Sequence, residues 1–204
     1  MILIGQYDSP FVRRVGIALT LYGLPFRQEP WSVFGDADRI RPLNPLTRVP
    51  TLVLDDGESL IDSHMILDHL DSLVAMSARL FPQAEPARRR ALKRAALASG
   101  IGDKAVSLFY ELRLHDSASG VFVARCRRQI ADGWQALEQA LEQALEPGAD
   151  GHAEIAAACV WRFVAEAHPG LTDPAHHPRL AALAARLEAT DAFRRIHQPF
   201  VAPA

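Results

Sequence analysis

Residues 44–63 read Asn44-Pro-Leu-Thr-Arg48-Val49-Pro50-Thr-Leu-Val-Leu54-Asp-Asp-Gly57-Glu-Ser-Leu-Ile61-Asp62-Ser63, and this stretch decides how the rest of the chain is understood. Pro50 heads the apolar run Thr51–Leu54. Proline cannot donate to a sheet ladder, so it marks a strand start on an open edge. X-Pro is also the bond at which the cis form is cheap, about 0.5–1 kcal/mol. A cis bond here would turn the Val49 N–H and C=O outward, where an extended ligand can pair with them as an added strand. The turn Asp55-Asp56-Gly57 and a second strand over Glu58–Ile61 complete a hairpin. Asp62-Ser63 follows, ahead of the helical pattern Met65, Ile66, His69, Leu70, Leu73. Ser63 thus falls at a helix N-terminus, where unpaired N–H groups and the dipole favour an anion. A carboxylate docks there while Asp62 faces an amino group. One end suits a zwitterion and the middle suits a peptide backbone.

On the N-terminal side, Ile2–Ile4 reads as a short buried strand. Ser9-Pro10 opens a helix, serine as cap and proline in the first turn. Phe11, Val15, Ala18, Leu19 and Tyr22 share one face, and Gly23 ends the helix. Leu24–Gln28 is a second strand, so the first unit is strand–helix–strand with parallel pairing and a right-handed crossover. A short helix is expected within 35–41.

Beyond Ser63 the composition changes at 77–86, where Phe81-Pro82 and Glu85-Pro86 bracket a linker. Helices are expected over 87–115, loosened or bent at Gly100 and Gly102, and over 121–146, 153–166 and 179–189, with a loop over Pro147–Gly151 and a terminal segment at 191–197. The division is 1–78 for the mixed unit and 87–204 for the helical one.

Val-Pro in register with acidic-Ser at the next helix start resembles the glutathione site of the glutathione S-transferase family. The resemblance implies a thioredoxin-like α/β domain followed by an all-α domain. The string Ser9-Pro10-Phe11-Val12-Arg13-Arg14-Val15 looks like the serine-type pattern of tau-like and many bacterial members, whose omega-like relatives carry cysteine where Ser9 stands. By that likeness glutathione is bound at Val49, Pro50, Asp62 and Ser63, and Ser9 activates its thiol. Tyr7, two residues earlier, is the rival, since some classes place a catalytic tyrosine there. Phe11 packs either near the ligand or in the core. Arg48 meets the glycine carboxylate or is simply solvated. Trp31 and Ser32 are further candidates at the glycine end. An electrophile pocket is expected between the domains, with Ala105, Phe109, Arg113 and Trp161 as candidate walls, although aromatics at helical spacing are more often core.

Two departures from the family pattern stand out. Thr47 replaces a common loop glycine. Gly151 and Glu154 stand where a Ser/Thr cap and an Asp are usual, leaving half of a reciprocal capping box at a cost of a few tenths of a kcal/mol.

The chemistry asked of Ser9 is modest. A free thiol titrates near 8.5, and lowering it to ~6.5 needs about 2.7 kcal/mol of preferential thiolate stabilisation. One hydrogen bond to a charged group supplies roughly 1.5–3 kcal/mol, and a helix N-terminus adds about 0.3–1. A single hydroxyl at the start of a helix is therefore enough. With no cysteine at position 9 the chain cannot form its own mixed disulfide there, and the Ser-Ser-Cys pattern of the isomerase class is absent. Conjugation, dehalogenation and peroxide reduction remain. A non-catalytic regulatory role on the same fold is the alternative from another class.

Bulk properties agree with a soluble cytoplasmic protein. A net charge of −2 over 204 residues gives no general reason to expect nucleic acid or an anionic membrane as partner. No apolar run approaches bilayer-spanning length, and the start Met-Ile-Leu-Ile-Gly lacks a leader's basic segment. Cys126 and Cys159 fall in helical apolar patterns and read as packing residues. His152, His168 and His176-His177 lack partners at ligand spacing, so no metal is expected and the histidines read as surface groups. The basic runs Arg88–Arg90 with Lys93 and Arg94, and Arg125 with Arg127 and Arg128, are solvated faces or contacts across the two-fold of a homodimer.

Overall fold

The computed structural model describes residues 1–142 and 150–202. The elements in order are β1 (Ile2–Ile4), α1 (Pro10–Leu21), β2 (Arg27–Glu29), α2 (Ala37–Ile40), β3 (Thr51–Val53), β4 (Ser59–Ile61) and α3 (Ser63–Ser72). A 3-10 turn at Met76–Ala78 leads to α4 (Ala87–Leu114), α5 (Gly120–Glu142), α6 (His152–Ala167), α7 (Pro178–Glu188) and α8 (Asp191–Arg195). The expected helix end at 143–146 and the first part of the expected loop at 147–149 lie outside the described residues.

The sheet order is β2-β1-β3-β4, with β1 parallel to β2 and the other two pairs antiparallel. Leu3 on β1 faces Leu52 on β3, and both are fully buried. They meet Val12, Val15, Leu19, Ile66, Leu67 and Leu70 of α1 and α3 in one apolar cluster. This is the thioredoxin-like arrangement. A larger cluster joins α4 to α8 around Ile101, Leu108, Ile130, Trp134, Cys159 and Phe193, and Ile17 of α1 belongs to it. Helix α1 is therefore buried on two sides rather than on one face: it is the wall shared by the sheet and the helical domain.

That position explains a pair of adjacent buried arginines. Arg13 donates through Nε to the Ile196 carbonyl at 2.8 Å, forms a bidentate pair with Glu188 and lies over the Phe193 ring, tying α1 to α7 and α8. Arg14 leaves the helix toward α3 and α4 instead. Successive residues on a helix diverge by about 100°, so one helix can send two cations to different tasks.

Helix α4 runs unbroken through Gly100 and Gly102. A Cβ at Gly102 would come within 3.1 Å of the Phe11 ring and 3.2 Å of Val160, so this glycine permits close approach of α1 and α6. At the start of α6, Glu154 accepts from the Gly151 N–H at 3.0 Å, the surviving half of the capping box. Gly151 has its own reason to be glycine. A Cβ there would lie 2.2 Å from the Leu80 carbonyl oxygen of the linker, which also accepts from the His152 N–H.

Candidate active site

Six residues singled out in the sequence, Phe11, Arg48, Val49, Pro50, Asp62 and Ser63, line a single groove. Asn44, Leu46, Ile61, His64, Ser99 and Asp103 complete it, so the groove runs from the sheet's β3 side to α4. The Val49-Pro50 bond is cis, and no hydrogen bond among the described residues engages the Val49 backbone. Asn44 shapes the loop that leads there. Its amide nitrogen donates to the Arg48 carbonyl at 2.9 Å and lies 3.1 Å from the Thr51 hydroxyl, while its oxygen accepts from the Leu46 N–H.

Asp62 caps α3 by accepting from the His64 N–H at 2.9 Å, and its backbone sits at φ 55, ψ 136. A non-glycine residue at positive φ is held there by its surroundings, and such outliers collect at functional sites. Ser63 is buried and its hydroxyl accepts from Arg14 Nη2 at 2.8 Å. Arg14 Nη1 donates to Ser99 on α4, also at 2.8 Å, and Arg14 Nε has no partner among the described residues. Burial pulls the Arg14 pKa down to about 10, against the opposing pull of the Asp62 and Asp103 carboxylates. At the rim, Arg48 and Asp103 form an ion pair at 3.8 Å, and partial burial raises the Asp103 pKa despite that cation. The groove thus offers one arginine and two carboxylates on its wall, with the Arg14 guanidinium buried beneath Ser63, around Val49 backbone groups that are unpaired among the described residues. That charge pattern suits a zwitterionic peptide.

Ser9 is the N-cap residue of α1, but its side chain makes no capping hydrogen bond. Its hydroxyl, without a partner among the described residues, lies at the positive end of a 12-residue helix. Ser9 is not among the residues lining the groove. Tyr7 faces another cavity altogether, its ring resting on Gly16, and burial raises its pKa. Trp31 and Ser32 are also outside the groove lining: Trp31 donates to Glu29 and stacks under Arg39, while the Ser32 N–H binds Asp36.

The expected electrophile walls need correction. Trp161 packs edge-on against Trp134 at 5.1 Å, and Ala105 is fully buried with its carbonyl 2.8 Å from His168 Nε2. Both are core, because α6 is covered on nearly every side by α1, α4 and α7. Phe109 is buried too but belongs to an aromatic row: Phe34 meets Tyr110 at 5.4 Å, Phe109 meets Phe200 at 5.2 Å, and Phe163 meets Phe200 at 5.5 Å. Arg113 lies exposed near the end of α4. The histidine reading also changes. His152 and His168 are buried, and His152 Nε2 lies 2.9 Å from Asp71. Among the described residues no group of His, Cys, Asp and Glu is arranged to hold a metal.

The residues that sequence reasoning missed are Arg14, Ser99 and Asp103. Two successive arginines, Arg13 and Arg14, between apolar residues of one helix were the available signal for the first. The other two lie on a helix some 40 residues away, and only the fold brings them to the groove.

The fold and this groove define a glutathione-transferase kind of protein. Residues 3–78 match the family profile described as glutathione S-transferase, N-terminal domain. A glutathione transferase family member from Pseudomonas fluorescens Pf-5, solved with bound glutathione, superposes with a TM-score of 0.86 at 31% identity over 98% of this chain and 99% of that one. A glutathione S-transferase from Methylobacterium radiotolerans, solved with glutathione sulfonate, gives a TM-score of 0.85 at 30% identity over 100% and 98% of the two chains. The uncharacterised GST-like protein YibF of Escherichia coli is 34% identical over 103 residues, half of each chain. The chain belongs to the glutathione S-transferase family.

Proposed function

We propose that the chain is a glutathione-dependent transferase. Its groove holds glutathione extended along β3, with the cysteinyl backbone on Val49 and the γ-glutamyl carboxylate at the first turn of α3. Asp62 takes the amino group, and Arg48 meets the glycine carboxylate. Ser9 donates a hydrogen bond to the thiolate. The thiolate sulfur attacks an electrophilic carbon, the new C–S bond forms, and the leaving group departs with its bonding electrons. The mutually packed row Phe34, Tyr110, Phe109 and Phe200 is taken as the surface that receives an apolar electrophile. The subunit is cytoplasmic, acts in detoxification and pairs as a homodimer across α4 and α5. The exposed Met65 and Leu92 are consistent with a buried face in that dimer.

One observation carries the reading: Val49, Asp62 and Ser63, identified separately in the sequence, converge on one groove. Calorimetry with glutathione and a conjugation assay with a generic aromatic electrophile test it. Ser9→Ala should lower turnover at least tenfold with affinity retained, and unchanged turnover would move the role to Tyr7. Asp62→Ala should weaken glutathione binding about tenfold, the scale of one charge-assisted contact. A chain that binds no glutathione would leave only the non-catalytic alternative.

A further inference from the structure

Arg14 is 2% exposed, and its fork ends on two hydroxyls from different domains. Nη2 donates to Ser63 at the start of α3 and Nη1 to Ser99 within α4, both at 2.8 Å. A guanidinium can only donate, so each serine oxygen meets it as an acceptor and keeps its own O–H proton for another partner. Neither proton has an acceptor among the described residues. For Ser99 that is unusual, because a serine inside a helix commonly turns its proton to the carbonyl one turn back. Ser107 on the same helix does so, donating to the Asp103 carbonyl at 2.7 Å. Ser63 and Ser99 are both buried yet both line the glutathione groove, whereas Arg14 does not. The groove is therefore the space the two free protons share. A hydroxyl polarised by a cation behind it is also a stronger donor than a free one.

We infer that Arg14 presets Ser63 and Ser99 as a paired donor for one carboxylate, so that Ser99 is a second contact of the γ-glutamyl carboxylate and bound glutathione bridges the two domains. The inference rests on the transferase reading and deepens it. Arg14 is a positioning residue: it reaches the ligand only through the two serines, one carboxylate oxygen to each. Ser99 is a binding residue that the helical domain supplies, one turn before Asp103 on the side of α4 that faces the groove.

Calorimetry with three peptides tests this: glutathione, γ-aminobutyryl-cysteinylglycine, which lacks only the γ-glutamyl carboxylate, and γ-glutamylcysteine, which lacks the glycine. The unaltered protein should prefer glutathione to the first truncated peptide by about a hundredfold, roughly tenfold for each donor. Ser99→Ala should cut that preference about tenfold and Arg14→Met at least as much, while the preference over γ-glutamylcysteine stays the same in both. Circular dichroism checks the fold of Arg14→Met, and Ser99→Ala decides alone if that variant does not fold. An undiminished preference in Ser99→Ala, or a loss in either variant that falls equally on all three peptides, would overturn the inference and leave the transferase reading standing. No glutathione binding by the unaltered protein would overturn both.

Discussion

Thr47 holds φ 50, a backbone region in which a β-branched side chain crowds its own carbonyl at a cost of roughly 1–2 kcal/mol. The loop needs that turn, because the Asn44 contacts fix its start and the first residue of β3, Thr51, fixes its end. Thr47→Gly removes the strain and adds unfolded-state entropy, which takes back about 0.5–1 kcal/mol. The expected net gain is about 0.5–1 kcal/mol in the urea midpoint analysis. A loss of stability would mean that the threonine side chain makes a contact outweighing its strain. The same scale separates the two arginines of α1. Arg13 has a carboxylate partner in contact, whereas Arg14 touches only two hydroxyls and feels the Asp62 and Asp103 carboxylates at longer range beneath the groove. A buried cation whose countercharges are not in direct contact is costly to keep. Ligand carboxylate at the start of α3 would offset that cost.

Helix α6 shows how an element's end answers to a neighbour. The linker carbonyl of Leu80 occupies the space a side chain at position 151 would need. Gly151→Ser, which completes the capping pattern usual in the family, should therefore destabilise this chain by about 1–3 kcal/mol, the usual scale of overpacking. The thermal midpoint reports it, and a rise would mean that the hydroxyl's capping bond wins over the clash. From sequence alone this glycine reads as a small capping loss, because a through-space contact with Leu80, 71 residues earlier, has no local signature. The hairpin, the Ser63 helix start and the helices of the second domain were legible, since proline, turn residues and apolar periodicity act within a few residues. Trp161 and Ala105 were not, because periodicity marks an apolar face without saying whether a pocket or another helix lies against it. The Val49, Asp62 and Ser63 group was legible for the opposite reason: each is tied to a strand start or a helix start.

At the scale of the whole molecule the two domains are joined by polar contacts at both ends of α1. Near its end, the Asp71 carboxylate of α3 accepts from the Tyr22 hydroxyl and lies 2.9 Å from His152 Nε2 of α6. The linker N–H groups of Leu80 and Phe81 also reach it. Burial alone would raise the Asp71 pKa, but the hydrogen bonds from His152 and Tyr22 and the backbone outweigh it and hold the carboxyl below its ordinary value. The unfolded chain therefore takes up a proton at higher pH than the folded one. The stabilising contribution of Asp71 is complete above about pH 4 and is withdrawn as pH falls through the lower folded value. Asp71→Asn removes the charge from all these contacts and should cost about 2 kcal/mol at pH 7, within the range for hydrogen bonds to a charged group. Denaturant titrations of both proteins from pH 7 to pH 2.5 should show that difference narrowing only below about pH 4. A gap that stayed constant into acid would place the cost in geometry rather than in charge.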